Sequence, residues 1–188
     1  MDAIEIFFAA YGVLLALAVA KLLSSVARLV RHRAAVRIGW CLPLLMLLLL
    51  LDICSFVNNA SRMMGLADLS LATVACGIFA SGAYYLAAEM AAPDSFADWP
   101  DLDAYYDKHK RFVVGGMLAA SVLGFEVTSV VIKGLSETIT ARWTGIQAML
   151  DLSYYVLLGV LLVIRNRATN IVMLTTLCAI YFIVIGTF

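Results

Sequence analysis

The sequence predicts an all-α fold: an integral membrane bundle of six transmembrane helices, plus a short interfacial helix at about 101–111. Composition is the first reason. Hydrophobic residues fill 64% of the 188 positions and charged residues 14%, against roughly 45–50% and about 25% in soluble domains. With a mean hydropathy of +0.98, this excludes a soluble globular protein, a disordered tail and a nucleic-acid-binding module. The second reason is length: the apolar segments 6–27, 38–60, 69–91, 112–133, 143–164 and 170–188 each come close to or exceed the about 20 residues that cross a bilayer. They leave no room for an extramembrane domain, so 1–188 reads as a single transmembrane domain. The third is where the basic residues sit. Arg28, Arg31, Arg33, Arg37, Lys108, Lys110, Arg111, Arg165 and Arg167 fall in alternate loops, and only Arg62, Lys133 and Arg142 fall on the other side. The positive-inside rule then places both termini outside.

The first span is preceded by Asp2 and Glu5 and followed by the arginine cluster. That order is the reverse of a cleaved signal peptide, so a retained helix is expected. Lys21 interrupts it near the inner end, either pairing with Glu89 of span 3 or reaching the headgroups, and Glu89 is expected to snorkel. Trp40 and Trp143 open spans 2 and 5, as interfacial aromatics do. Spans 3 and 6 hold the charge-free runs Leu69–Ala88 and Thr169–Phe188. Gly77-x-x-x-Ser81 on span 3, and Gly115, Gly116, Ala119 and Ala120 on span 4, suit close helix contacts. Ahead of span 4, Pro100 stands at a helix start. Asp101 and Asp103 occupy the first turn and Lys108, Lys110 and Arg111 the last, matching the helix dipole. Leu102, Tyr105, Tyr106 and His109 form one face, so 101–111 reads as an amphipathic helix on the inner surface running into span 4. Its acids read as a solvated face rather than a metal site, because Asp101 and Asp103 do not share a helix face and His109 belongs to the aromatic side. Cys41, Cys54, Cys76 and Cys178 all lie in apolar runs with no C-x-x-C pair, and read as packing residues rather than disulfides or a zinc site.

Several segments also resemble a known group. Ala20-Lys21-Leu22-Leu23, Arg28, Arg31-His32-Arg33 and Trp40 come first. Leu86-Ala87-Ala88 to Pro93-Asp94, then Asp101-Leu102-Asp103-Ala104-Tyr105-Tyr106 and His109-Lys110-Arg111-Phe112, follow. Together they resemble a widespread bacterial family of small, uncharacterised polytopic membrane proteins, over residues 5 to about 120. The resemblance implies an inner (plasma) membrane location and carries no activity with it. Lys21 departs from the pattern, which has an uncharged polar residue there.

Candidate functional residues come from the acids inside the spans. Asp52, Glu126 and Asp151 lie at similar depth, about 20 Å from the cytoplasmic boundary by the helical rise. Each heads a polar stripe opening outward: Asp52, Ser55 and Asn59; Glu126, Ser129 and Lys133; Thr144, Gln147, Asp151 and Tyr155. Turned inward, the stripes would line an outward-facing acidic pocket of Asp52, Glu126, Asp151, Asn59, Ser129, Gln147 and Tyr155, with Tyr11, Thr73 and Cys76 as further walls. A carboxylate at a helix centre costs about 2.5–3.5 kcal/mol on insertion scales. Either water and a bound cation enter such a pocket, or at least one acid carries a proton.

The expectation is a small proton- or cation-linked transporter or channel. The alternative is a non-catalytic membrane subunit or assembly factor whose buried acids hold helices or a partner together. An enzyme is not expected, since no nucleophile–base pair, metal-ligand spacing or phosphate loop is present. Expected partners are the lipid bilayer, protons or monovalent cations, and a homo-oligomer or membrane partner protein, with no cofactor and no nucleic acid.

Overall fold

An apolar run can satisfy its backbone away from water only by pairing within itself, and the long apolar runs are helical throughout the described residues. The computed structural model describes residues 3–34, 36–63, 70–142 and 145–186. The helices are α1 (Ala3–Arg31), α2 (Cys41–Met63), α3 (Leu71–Met90), α4 (Leu102–Ser121), α5 (Thr128–Lys133), α6 (Leu135–Arg142), α7 (Gly145–Val163) and α8 (Arg167–Gly186). A 3-10 turn, Phe96–Asp98, precedes α4, and a π-helical turn, Val122–Val127, joins α4 to α5. No strand occurs among the described residues. The prolines agree with this division: Pro43 sits in the first turn of α2, where its missing N–H is harmless, and Pro93 and Pro100 lie in loops.

Among the described residues four stretches are long and apolar enough to cross a membrane: Tyr11–Arg31, Cys41–Ser61, Leu71–Met90 and the rod Leu102–Lys133. The apolar parts of α7 and α8, Ala148–Val163 and Arg167–Ile183, are shorter. Helix α3 lies between α1 and α4, α2 packs on α8 and α4, and α7 joins α4 to α8. Part of the small-residue set expected on α3 and α4 makes their seam, while Ala119 is exposed and a Cβ on Gly115 would meet nothing within 4 Å. A Cβ on Gly116 would sit 3.1 Å from that of Ala87, and Ala80, Ala87, Ala88 and Ala120 are fully buried.

The helix expected at 101–111 exists from Leu102 and, as expected, runs into the apolar stretch that follows it. It is the beginning of one rod, Leu102–Lys133, of 32 residues, about 48 Å long by the helical rise. Its apolar face is claimed by the protein itself. Leu102, Tyr105 and Tyr106 are buried, Tyr105 donates to the Met90 carbonyl at 3.1 Å, and its ring stacks on His109 and meets Trp99 edge-on. The stretch between spans 4 and 5 also differs from a plain loop. Gly134, at φ 82°, makes the turn that a side chain would strain, and α6 follows at once.

All three arginine- and lysine-bearing loops meet at one end of the bundle, called here the basic end. Arg37 and Pro100–Leu102 pair backbone to backbone, at 2.8 and 3.2 Å. The acids Asp101, Asp103 and Asp107 do not form a merely solvated face. They gather around Arg167 at 3.7, 3.7 and 3.4 Å. Asp101 can join Asp103 there because it is the N-cap of α4, accepting the Asp103 N–H at 3.0 Å, and so does not follow the helical angle. Glu89 does not snorkel alone: Lys21 reaches it at 2.6 Å and Asp94 at 3.3 Å. The side chains of Lys21 and Glu89 are only part-exposed, which makes a mutual contact better than two separate excursions.

Lys110 does not project into water. It is 3% exposed and caps the end of α7 by donating to the Ile164 carbonyl, with Asn170 Oδ1 at 3.3 Å. Arg111 donates to the Leu162 carbonyl at 3.2 Å. Lys110→Met is therefore expected to destabilise the protein by about 2 kcal/mol, because it strands a helix-end carbonyl and a buried amide together. Lys110→Arg should retain part of that. Thermal unfolding in detergent reads both.

Candidate functional site

The leucine-rich α2 decides where the site lies. Its buried face is built from Leu42, Leu45, Leu48, Leu49, Asp52, Ile53 and Phe56, which recur at helical spacing. Asp52 is thus an acid in a leucine position, fully buried, and it is the middle residue of Cys41–Met63. Asp52 and Glu126 stand at different levels, since Ser121, ahead of Glu126 on the same rod, is the residue that meets Asp52. Glu126 sits on the π-turn toward the Lys133 end of its rod, nearer the end of the bundle opposite the basic one. The reason is that α2 starts only at Cys41, since Val36–Trp40 are spent on the loop that pairs with Pro100–Leu102.

Around Asp52, neighbouring helices supply hydroxyls. Tyr181 of α8 donates to Oδ1 at 2.5 Å, and Ser121, the last residue of α4, lies 3.5 Å from Oδ2. Ser121 in turn lies 3.4 Å from the hydroxyl of Tyr84 on α3. From α7, Tyr154 brings a further buried hydroxyl to the same group, its ring edge-on to Tyr181 at 5.6 Å. Phe56, one turn on from Asp52, seals this side. Its ring meets those of Tyr11, Tyr84 and Phe125 at 5.4, 5.1 and 5.5 Å.

Glu126 and Tyr155, both predicted for the pocket, are in contact: the Tyr155 hydroxyl donates to Glu126 Oε1 at 3.0 Å. Asp151 is half-buried one turn before Tyr154 and Tyr155 on α7, and Asn59 is half-buried beyond Asp52 on α2. Ser129 is buried on α5. The side chain of Gln147 lies outside the described residues. Thr73 is engaged at the start of α3, where the Ser70 side chain caps the helix. The arrangement therefore has two stations: Asp52 among hydroxyls at mid-helix, and Glu126 with Tyr155 beyond it. Between them runs the aromatic pair Tyr154–Tyr155, with ring centres 5.6 Å apart.

Sequence reading missed Tyr84, Ser121, Tyr154 and Tyr181. Tyr154 had a local signal, standing three residues after Asp151 on the same helix face. Tyr181 had none, being a tyrosine in a charge-free run. Set against family models, curated proteins and solved structures, the chain matches none.

Proposed function

We propose that the chain is a proton- or monovalent-cation-linked transporter or channel. On this reading six helices, α1, α2, α3, the α4–α5 rod, α7 and α8, cross a bacterial inner membrane, with both termini outside and the basic end in the cytoplasm. The protein acts as a carrier or conduit rather than an enzyme. The observation that supports it is Asp52: an acid, fully buried at mid-helix, whose recorded partners among the described residues are neutral hydroxyls. Ionisable groups inside a membrane are costly and mark ion or proton pathways. Glu126 with Tyr155 continues the polar line toward the outer end, and Asp151, Asn59, Ser129 and Gln147 are the further lining.

Reconstituted in liposomes, Asp52→Asn is expected to abolish pH- or Na⁺-driven flux while gel filtration shows an intact protein, because the amide keeps a hydrogen-bonding group but cannot ionise. Retention of wild-type flux by that variant would sink the reading.

A second reading is favoured by the same hydrogen bonds. Tyr181 and Ser121 tie α8 and α4 to α2 through one carboxyl, as polar glue would, and a non-catalytic subunit or assembly factor needs no more than that. Purification in mild detergent separates the two: a stoichiometric partner protein supports the subunit, and flux from the chain alone supports the transporter.

A further inference from the structure

We propose that the Asp52 site handles protons rather than alkali cations, and that Tyr181, Tyr154 and Tyr155 relay them between Asp52 and Glu126. The inference rests on the transport reading above and adds the species and the route. A hard cation takes a shell of oxygen lone pairs turned toward it. At Asp52 both carboxyl oxygens instead face hydroxyl donors, at 2.5 Å from Tyr181 and 3.5 Å from Ser121. That geometry suits the passing of a proton between oxygens.

The second observation is Tyr154. It is 8% exposed, and its hydroxyl is buried with no hydrogen-bond partner among the described residues. Unpaired buried hydroxyls are rare and call for an explanation. A phenol both donates and accepts, so this one can take a hydrogen bond from one neighbour while giving one to the other. Its ring lies 5.6 Å from Tyr181 and 5.6 Å from Tyr155, and the Tyr155 hydroxyl is already on Glu126. The series Asp52, Tyr181, Tyr154, Tyr155, Glu126 leads from the middle of α2 toward the outer end of the bundle. At each step one O–H bond forms as the next one breaks. A proton that leaves Asp52 arrives as a different proton on Glu126, each tyrosine ends neutral, and no electron is transferred.

The groups that face Asp52 are Tyr84 from α3, Ser121 from α4, Tyr154 from α7 and Tyr181 from α8. Helix α1 contributes Tyr11, whose ring lies on Phe56. Tyr155 faces Glu126, and Asp151 stands one turn from it on α7. Ser121 with Tyr84 forms a side branch that holds Oδ2.

The test uses the full chain in liposomes loaded with a pH-sensitive dye, under a potassium diffusion potential. The wild type is expected to move protons and to leave a Na⁺ gradient undisturbed. Tyr154→Phe is expected to slow proton movement by roughly 10²-fold, the scale of a positioned proton-transfer group. Its thermal midpoint should stay close to the wild type's, because the ring and its packing are kept and the hydroxyl makes no well-formed hydrogen bond among the described residues. Proton flux in Tyr154→Phe equal to the wild type's overturns the relay and leaves the transport reading standing. So does a wild type that carries Na⁺ and not protons. A wild type that carries neither ion defeats the transport reading itself. The relay is then decided by infrared difference spectroscopy after a pH jump on the detergent-solubilised protein. The Asp52 carboxyl band, assigned by its loss in Asp52→Asn, should appear more slowly in Tyr154→Phe, and equal rates overturn the relay.

Discussion

Asp52→Leu is expected to lower the stability of the folded bundle by about 2–4 kcal/mol, because the hydroxyls of Tyr181 and Ser121 lose their acceptor where water cannot replace it. For a chain of this size that is a fall of roughly 5–15 °C in the thermal midpoint. Leucine is itself welcome among Leu45, Leu48 and Leu49, so the penalty isolates the stranded hydroxyls. The triple variant Asp52→Leu, Tyr181→Phe, Ser121→Ala should recover most of the loss, since removing both sides of a buried hydrogen bond is far cheaper than removing one. Asp52→Asn should stay near the wild type in stability. If Asp52→Leu proves as stable as the wild type, the hydroxyl cluster does not hold the helices together.

The other large effect belongs to Gly124, inside the π-turn. A Cβ there would fall on the Phe56 ring, and that ring cannot retreat because Tyr11, Tyr84 and Phe125 surround it. Gly124→Val is therefore expected to cost about 3 kcal/mol, at the upper range for overpacking. Combining it with Phe56→Leu should give a loss smaller than the sum of the two single changes, as contacting residues do. Strict additivity in thermal unfolding would show that the two do not meet. The π-turn also explains why Glu126 and Ser121 serve different stations: the wider turn redirects the side chains beyond it.

How much of this was legible in the sequence follows from which forces act locally. Helices α1 to α3 were legible to within a few residues, because length, hydropathy and the positions of Pro43 and Pro93 decide them within one segment. So was the start of α4, which depends on Asp101 and Pro100. The grouping of the basic loops at one end was legible too, and the three do converge. Rotation of one helix against another was not. Lys21 and Glu89 meet across two helices, and only that rotation decides between pairing and snorkelling. Lys110 looked like one more loop cation, because the carbonyl it caps lies 54 residues away. Three acids at apparent common depth suggested one pocket. The setting of Asp52 is decided by Ser121 and by tyrosines such as Tyr84 and Tyr181 that periodicity alone cannot single out, since an aromatic in an apolar run is ordinary.

The bond from Tyr181 to Asp52 joins residues 129 positions apart, and this bears on how the protein is made. On the six-helix reading, α2 is delivered to the bilayer long before α8 has been translated. At synthesis rates of about 5–20 residues per second, the interval is roughly 6–26 s. For that time Asp52 resides in a newborn helix without the hydroxyl that later completes its shell, and Ser121, 69 positions on, arrives about midway. Helix α2 enters with a run of leucines ahead of the acid and Ile53, Phe56 and Val57 behind it, which offset its insertion penalty. The nascent bundle must nevertheless stay open on the side where α8 will dock. Helix α8 is thus the one that closes the acid in, so truncation before α8 should leave a chain that inserts but is cleared by quality-control proteases.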